Sequence, residues 1–299
     1  MTWGQEPRLV RHTVARANVP AHGRVLDLAT GTGDLAFEVL RQHPDATVVG
    51  AEAVARSAPD GHTVLVNSGT TLTINPILMR NLPYQPESFA PVSLLATLPF
   101  AFVVQNRLPA TVLEFVALAK SRPGQLNYGS TGNGASTHLV GAQFAAAAGI
   151  EITHVPYRGQ PGAVAALLAG DTNVFFNQSG PAIGMVQGGQ ARALAVTTRR
   201  RLPALPDVPT VEEACGLPGF ESSTWYGLIG PPGLPAAVRD RVNAEVARVV
   251  ETEEFRRWLV ETQGIEPPED LSPEAFRRVH EADAARWAAI VRASGARVD

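Results

Sequence analysis

The chain has 299 residues, which is long enough for a large core and for two domains, or for one domain of two lobes with a ligand cleft. Twenty-five basic residues against 28 acidic ones give a formal charge of −3, which excludes a basic surface for nucleic acid or anionic membrane. The lone cysteine, Cys215, excludes an intrachain disulfide and a multi-cysteine metal site. No apolar run reaches the ~18 residues of a transmembrane helix, and the first residues lack the apolar core of a secretory signal peptide.

The hydrophobic pattern alternates between strand and helix periods from the first strand onward. In the first third it predicts strands at 24–28, 47–49 and 62–68, helices at 35–42 and 51–57, a polar loop after residue 68 and a long buried strand at 90–106. The length of the last strand suits a segment that passes from one lobe into another.

From residue 111 the alternation continues up to a proline-rich connector at 199–210. The predicted elements are a helix at 111–122, a strand, loop and helix at 126–149, strands at 153–159, 173–179 and 192–198, helices at 161–171 and 181–189, a returning strand at 223–231, and helices at 236–264 and 272–295. Ser272 before Pro273 is a good helix N-cap. The pattern predicts an α/β protein of two lobes joined by two or more crossings, with mostly parallel sheets flanked by helices.

Three loops place small residues and hydroxyls between a strand end and a helix start, where free N–H groups and the helix dipole favour anions. They are ATGTGD at 29–34, NSGTT at 67–71 and GSTGNGAST at 129–137. The third has three glycines and four hydroxyl residues, more than an ordinary turn requires. It is predicted either to contact a ligand or to be a glycine-permissive turn.

Tyr157 and Arg158 end the strand at 153–159. Ligands of open α/β sheets bind outside the carboxyl ends of strands, so these side chains are placed to face a cleft, where arginine can hold a carboxylate. A solvated arginine and a half-buried tyrosine are the alternative. His138, without a visible partner, is predicted to be structural. No metal-ligand spacing and no G-x-S-x-G motif occurs, so we assign no metal site and no catalytic residue.

From Gly50 to the C-terminus the chain resembles the Bug family, the substrate-binding proteins of tripartite tricarboxylate transporters. The resemblance rests on GAEAVARSAPDGHTVLVNSGTTLTINPIL, FAPVSLLA, NYGSTGNGASTHLVGAQF, HVPYRGQPGAVAALLAGD and GLIGPPGLP, in this order. It implies a two-lobed periplasmic-binding-protein-like fold of type II. Such a protein closes on a small carboxylated solute and delivers it to a membrane permease, without enzymatic activity or a cofactor.

By position, the resemblance implies ligand contacts from both lobes. Those of the first lobe are Ser68, Gly69, Thr70 and Thr71; those of the second are Ser130, Thr131, Gly132, Gly134, Ser136, Thr137, Tyr157 and Gly159, to which the strand-end argument adds Arg158. Asn177 is included because it stands where the family usually has an acidic or polar residue. The first lobe is assigned to 51–101 and 224–299 and the second to 102–223, with hinge crossings near 101–103 and 224–226.

Residues 1–50 do not fit the Bug family, whose members normally begin with a signal peptide, a strand and a glycine loop that holds a ligand carboxylate. The segment RVLDLATGTGDLAFEVLRQHPDATVVG resembles instead the first motif of class I S-adenosylmethionine-dependent methyltransferases, of the ubiquinone/menaquinone C-methyltransferase type. In that family Gly31 and Gly33, in one motif with Asp27, would approach the cofactor, and Glu52 stands at the ribose-binding spacing. We interpret Gly50 as the join of a chimera, either natural or created by a sequencing or assembly error.

The lost and the acquired segments are both strand, glycine loop, helix and strand, so we expect residues 1–50 to complete the sheet of the first lobe. This predicts that Val25 to Leu28 pairs beside His62 to Val66, with the loop Thr30 to Asp34 at the cleft. A carboxylate at Asp34 would oppose a carboxylate ligand.

The sequence therefore predicts a solute-binding protein for a small carboxylate, with a membrane permease as partner and no nucleic acid. Two alternatives stay open. One is a remnant S-adenosylmethionine-dependent methyltransferase, whose later motifs are missing; the other is a nonfunctional fusion. The resemblance implies a periplasmic location, and we expect a monomer; the missing signal peptide leaves cytoplasmic retention as the other reading.

Overall fold

The computed structural model describes residues 24–27, 50–265 and 267–294, so the helix predicted at 35–42 and the strand predicted at 47–49 lie outside the described residues. The strands are β1 (Arg24–Asp27), β2 (Thr63–Ser68), β3 (Ala90–Val104), β4 (Asn127–Ser130), β5 (Thr153–Pro156), β6 (Val174–Gln178), β7 (Arg192–Val196) and β8 (Ser223–Gly230). The α-helices are α1 (Ala51–Ala55), α2 (Asn75–Leu78), α3 (Val112–Ser121), α4 (Ser136–Ala148), α5 (Gly159–Ala169), α6 (Ser179–Gln187), α7 (Val211–Cys215), α8 (Ala236–Val250), α9 (Glu253–Trp258) and α10 (Pro273–Ser294). Short turns of other helix types are Thr70–Ile74 and Leu259–Gln263, both π-helical, and Pro86–Ser88, which is 3₁₀.

The polar loop predicted after residue 68 is helical, which corrects the sequence prediction. The π-helical turn Thr70–Ile74 runs directly into α2. Threonine, isoleucine and proline give this stretch a low intrinsic helix propensity. Leu72 is nevertheless buried in the cluster around Trp225, and Ile74 and Leu78 are buried in the cluster around Phe102, so tertiary packing decides the local structure.

Side-chain caps fix the starts of α3 and α10. At α3 the Glu114 N–H donates to the Thr111 hydroxyl, while the Thr111 N–H donates to the Glu114 carboxylate, each at 3.2 Å. At α10 the Ala275 N–H donates to the Ser272 hydroxyl at 3.1 Å, so the predicted N-cap is confirmed. Both helices therefore begin where the sequence predicts.

The strands follow one another in the order β1-β2-β8-β3-β6-β4-β5, and β7 also pairs with β3. The long strand β3 pairs with β8 from Ala90 to Pro99 and with β6 from Phe100 to Val104. The change of partner divides the described strands into a first lobe with β1, β2 and β8 and a second lobe with β4 to β7. The chain thus crosses between the lobes at Pro99 and Phe100, and again where β8 begins.

The sheet is mixed, which corrects the expectation of mostly parallel sheets. Parallel pairs are β1 with β2, β4 with β5, and β4 with β6. Antiparallel pairs are β2 with β8 and β3 with β6, β7 and β8. β2 and β4 to β6 keep the parallel direction with the helix-connected strands beside them, whereas β3, which passes between the lobes, and β8, which follows the second crossing, run against their neighbours.

The strand β1 pairs in parallel with β2, with Val25 opposite Val64 and Asp27 opposite Val66. This is the pairing expected for Val25 to Asp27. Leu28 and the loop Thr30 to Asp34 lie outside the described residues. The assignment of residues 1–50 as a unit of separate origin stays a prediction.

Each lobe has its own core, and α10 reaches both. In the second lobe the Phe102 ring contacts Phe115, Phe144 and Phe176 at centroid distances of 4.7–5.1 Å. The first-lobe core contains Leu65, Trp225, Ile229 and Phe276 of α10, and the second-lobe core contains Trp287, Ile290 and Val291 of the same helix. With 22 residues, α10 is about 33 Å long, so one helix spans the crossing.

Candidate functional site

The carboxyl ends of the strands of both lobes meet at the crossing. Ser68, the last residue of β2, pairs with Tyr226, and Tyr226 pairs with Ala96 of β3. Further along β3, Phe100 pairs with Gln178, the last residue of β6. The Tyr226 hydroxyl and the Gln178 side-chain oxygen are 3.3 Å apart, so the two lobes touch at this point. The loops that follow these strands begin at this edge, which is where α/β proteins bind ligands.

The first-lobe loop, Ser68 to Thr71, packs on a buried aromatic residue. A Cβ at Gly69 would lie 3.0 Å from Trp225 Nε1 and 3.3 Å from Asp283 Oδ2, so the absence of a side chain allows this close approach. The Thr73 hydroxyl donates to the Gly69 carbonyl at 2.7 Å. The half-buried members of the loop are Ser68 and Thr70, and the buried ones are Gly69 and Thr71.

Asp283 of α10 lies against this loop and connects α10 to the crossing. Its carboxylate accepts hydrogen bonds from Trp225 Nε1 at 2.9 Å and from Trp287 Nε1 at 3.1 Å, and it pairs with Arg286. Arg286 also donates to the Ser223 carbonyl at 2.7 Å, at the first residue of β8. Burial raises the pKa of Asp283, and the Arg286 guanidinium opposes this shift. Sequence reasoning missed this network because its members lie up to 64 positions apart.

The second-lobe loop, Ser130 to Thr137, uses most of its hydroxyls on itself. The Thr131 N–H donates to Thr137 Oγ1 at 3.0 Å, and the Gly132 N–H donates to Ser130 Oγ at 3.1 Å. Gly134 has φ +73°, a conformation that favours glycine. Ser130 and Thr137 therefore hold the loop's shape, while Thr131 and Gly132 remain half-buried at its surface.

Two backbone hydrogen bonds join this loop to residues 157–159. The Tyr157 N–H donates to the Ser130 carbonyl at 3.0 Å, and the Gly159 N–H donates to the Thr131 carbonyl at 3.2 Å. Arg158 is exposed at the start of α5. The structure thus joins the predicted contacts at 130–137 and those at 157–159 in one unit.

The Tyr157 ring packs over Gly129 of β4. A Cβ at Gly129 would lie 3.6 Å from Tyr157 Cε2 and 3.4 Å from Thr172 Oγ1, so the ring covers Gly129 and reaches toward the residues that precede β6. Burial raises the pKa of Tyr157, and the Asp171 carboxylate adds to this shift. The glycine at 129 makes room for this ring, which explains one of the three glycines in the loop.

Two histidines stack beneath the second-lobe loop. The rings of His138 and His154 are parallel within 5°, with centroids 3.7 Å apart. His138 Nδ1 accepts the Gly134 N–H at 3.1 Å, and His154 Nε2 lies 2.6 Å from Ser130 Oγ. Burial lowers the pKa of both imidazoles, that of His154 to about 4 with His138 contributing. The pair is therefore neutral at pH 7, and it supports the loop from below.

The site offers little for catalysis. Ser130 and His154 are in contact, but Ser130 is fully buried and already bonded within the loop, so its oxygen is closed to a substrate. Among the residues that the structure describes, no group of three or more His, Cys, Asp or Glu side chains could hold a metal ion. The loops instead present glycine backbone and helix starts, an arrangement that binds anions.

Two α/β lobes that share β3, with the carboxyl ends of strands from both lobes at the crossing, define a solute-binding protein of the periplasmic type. The chain belongs to the TctC family, the receptors of the tripartite tricarboxylate transporter family, and the model of this family matches residues 38–296. The resemblance predicted from the loops is thereby confirmed. Within the described ranges, no helix combines the length and the apolar character needed to cross a membrane.

Relatives and solved structures agree with this family. The chain is 36% identical over 251 residues to the UPF0065 protein in the tcbD-tcbE intergenic region of Pseudomonas sp. strain P51, covering 82% of this chain and 72% of that protein. It is 29% identical to protein BugT of Bordetella pertussis, over 84% of this chain and 77% of BugT. The structure of R. palustris Rpa4515 with adipate superposes with a TM-score of 0.81 at 29% identity, over 92% of this chain and 98% of Rpa4515. MatC of Rhodopseudomonas palustris with bound malate gives 0.74 at 27% identity, over 94% of each chain.

A short similarity to a methyltransferase is also found. The chain is 52% identical over 52 residues to the ubiquinone/menaquinone biosynthesis C-methyltransferase UbiE of Desulfotalea psychrophila, which covers 17% of this chain and 21% of that enzyme. The family model begins at residue 38, twelve residues before the predicted join at Gly50. The chimera therefore stays an interpretation that rests on this one short similarity.

Proposed function

We propose that this protein is a periplasmic receptor that binds a small carboxylate between its lobes and presents it to the permease of a tripartite tricarboxylate-type transporter. The observation that carries the proposal is that the carboxyl ends of β2 and β6, one from each lobe, lie at the strand crossing, where Tyr226 and Gln178 touch. Solved relatives of this fold hold adipate and malate, both small dicarboxylates. The proposal contains no catalytic step.

Recognition of the solute would rest chiefly on the backbone. The starts of α4 and α5 lie at the cleft edge, and the free N–H groups of a helix N-terminus favour a carboxylate. The proposed contacts are Ser68, Gly69, Thr70, Thr71, Thr131, Gly132, Gly134, Ser136, Arg158, Gly159 and Asn177, with Ser130, Thr137 and Tyr157 shaping the loops. Arg158 is the one cationic side chain in this set, so selectivity depends on shape and hydrogen bonding.

Binding would close the lobes about the two crossings. The turning points are Pro99 to Phe100, within the strand β3 that both lobes share, and Ser223, where the chain returns to the first lobe and begins β8. This supports a hinge motion. The Asp283 and Arg286 network anchors the second crossing to α10, so the hinge moves about a fixed helix.

A thermal-shift screen of the full chain tests the proposal. The probes are mono- and dicarboxylates of two to six carbons, with S-adenosylmethionine in a parallel series. A solute that binds only the folded state stabilises it by about 2.7 kcal/mol at 100 times its dissociation constant. We expect stabilisation by at least one carboxylate and none by S-adenosylmethionine.

The short UbiE similarity makes the second series informative. A shift with S-adenosylmethionine alone would replace the proposal by a methyltransferase remnant that still holds its cofactor. A folded chain that responds to no probe would indicate a fusion without binding activity.

A further inference from the structure

Asn177 is a buried amide without hydrogen-bond partners. It is fully buried on β6, and neither its Nδ2 nor its Oδ1 has a partner. Among the described residues, it alone has both side-chain polar atoms in this state. A buried donor and acceptor left unpaired are costly, so such a group in a native protein calls for a partner.

Strand alternation shows which face the amide occupies. Val174 and Phe176 point into the core around Phe102, whereas Phe175 belongs to the opposite cluster. Since side chains alternate along a strand, Asn177 shares the face of Phe175, one step nearer the carboxyl end. The amide therefore lies on the α5 side of the sheet, at the cleft edge.

The neighbouring strands place Asn177 beside the glycine loop. Gly129 of β4 pairs with Phe175, so extending this parallel register by two residues brings Thr131 next to Asn177. On its other side Asn177 pairs with Ala101 of β3, whose small side chain leaves room. The Thr131 carbonyl accepts the N–H of Gly159, the first residue of α5. The amide thus lies beside a half-buried loop residue and the start of a helix.

Two contacts between the lobes lie next to this position. Tyr226 meets the side chain of Gln178, and the Ser179 hydroxyl donates to the Gln263 carbonyl at 2.5 Å. Both involve residues that directly follow Asn177 in the chain. Opening of the lobes would release these contacts and admit a solute to the amide.

Among the described residues, the side chains that share the face of Asn177 are apolar ones, and none of those in this cluster could balance a cation. The cluster on its face is apolar and includes Ala101, Ala163, Phe175 and Ile183. Asp171, whose carboxylate acts on Tyr157, follows the far end of α5. An ammonium group here would lose its hydration without gaining an ion pair. An oxygen acceptor would instead receive the amide N–H₂ and the favourable end of the α5 dipole.

We propose that Asn177 is a specificity-determining residue that selects carboxylates without an amino group over their amino-bearing counterparts. It binds the second polar group of the solute, which is a carboxylate, carbonyl or hydroxyl oxygen. This inference rests on the proposed carboxylate-binding function.

The test compares matched solutes on the purified full chain by isothermal titration calorimetry. The pairs are succinate with aspartate, glutarate with glutamate, and adipate with 2-aminoadipate. For the pair whose carbon chain has the length that the cleft accepts, the wild type is expected to bind the amino-free solute roughly tenfold tighter or better than its amino-bearing counterpart. Equal or tighter binding of the amino acid would overturn the inference.

Two variants connect this selectivity to Asn177. In Asn177→Asp a carboxylate faces the solute, so binding of the dicarboxylate should fall by about tenfold or more and the amino member should gain relative to it. In Asn177→Leu the unpaired polar atoms are removed, so the dicarboxylate should bind about tenfold or more weakly while the ligand-free protein unfolds at the same or a higher temperature. Asn106→Asp, at an exposed position of the same lobe, is the matched control and should bind as the wild type does.

The outcomes separate the two proposals. If no carboxylate binds the wild type, the proposed function fails and this inference with it. If a dicarboxylate binds but both variants keep the wild-type affinity and selectivity, the inference alone is overturned. Should Asn177→Asp not fold, Asn177→Leu still decides, because the leucine is neutral and close in size.

Discussion

The rings of His138 and His154 are stacked 3.7 Å apart, directly under the glycine loop of the second lobe. Each contacts the loop through a ring nitrogen, His138 at the Gly134 N–H and His154 at the Ser130 hydroxyl. Tyr128 extends the stack, with its ring 5.0 Å from His154. Burial disfavours a positive charge on either imidazole, and a charge on one ring disfavours a second charge on the other. The loop therefore depends on both rings being neutral.

This arrangement predicts acid sensitivity. The pKa of His154 is about 4 in the folded protein and near 6.5 in the unfolded chain, so below pH 6.5 the unfolded state takes up protons that the folded state does not. The stability that depends on the neutral ring is fully present above pH 6.5 and is lost as the pH falls toward 4. Allowing for solvent screening of the half-buried ring, the loss is about 1–2 kcal/mol.

Urea unfolding of the wild type and of His154→Gln between pH 7.5 and 4.5 measures this effect. Glutamine keeps a hydrogen-bonding group but does not titrate. The wild type should lose more stability on acidification than the variant, although the variant is less stable at pH 7.5. Parallel pH profiles for the two proteins would show that the histidine pair is not the titrating element.

Removal of the Asp283 carboxylate should strongly destabilise the protein. Asp283→Ala leaves two indole N–H groups and the Arg286 guanidinium without their shared acceptor, a change expected to cost about 3–5 kcal/mol. Urea unfolding is the measurement. Glu245→Ala, which breaks an exposed pair with Arg248, is the matched control and should cost about 0.5 kcal/mol or less. A similar effect of both substitutions would refute the role given to Asp283.

Two glycine substitutions should change the free energy of unfolding in opposite directions. Gly69→Ala places a methyl 3.0 Å from the fully buried Trp225 and should cost about 1–3 kcal/mol. Gly184→Ala, on the exposed side of α6, meets nothing within 4 Å and should gain about 0.5–1 kcal/mol through helix propensity. Thermal unfolding of both variants is the check. A neutral Gly69→Ala would mean that the first-lobe loop is not held tightly against the tryptophan.

The sequence was most informative where a local pattern carries the structure. The apolar run of β3, the cap at Ser272 and the glycine-rich loop at 129–137 are each readable without tertiary contacts. The helical turn at Thr70–Ile74 was not, because buried leucine and isoleucine override a weak local propensity.

Features that depend on packing between distant segments could not be predicted. His154 lies in β5, and His138 lies in α4, the helix that follows β4. The two rings meet because β5 pairs with β4, and no spacing in the sequence predicts that contact. The Tyr157 ring packs over Gly129, which leaves room for it by having no side chain, and no local pattern indicates that contact. The candidate site was therefore predicted as a set of loops, while the orientation of its side chains required the structure.

The central claim is that the cleft binds a small carboxylate, and calorimetric titration of the full chain with the most stabilising carboxylate tests it most directly. The account predicts saturable binding of one solute per chain, accompanied by a rise in unfolding temperature that grows with solute concentration. A folded chain that gives no saturable binding with any mono- or dicarboxylate of two to six carbons would contradict it.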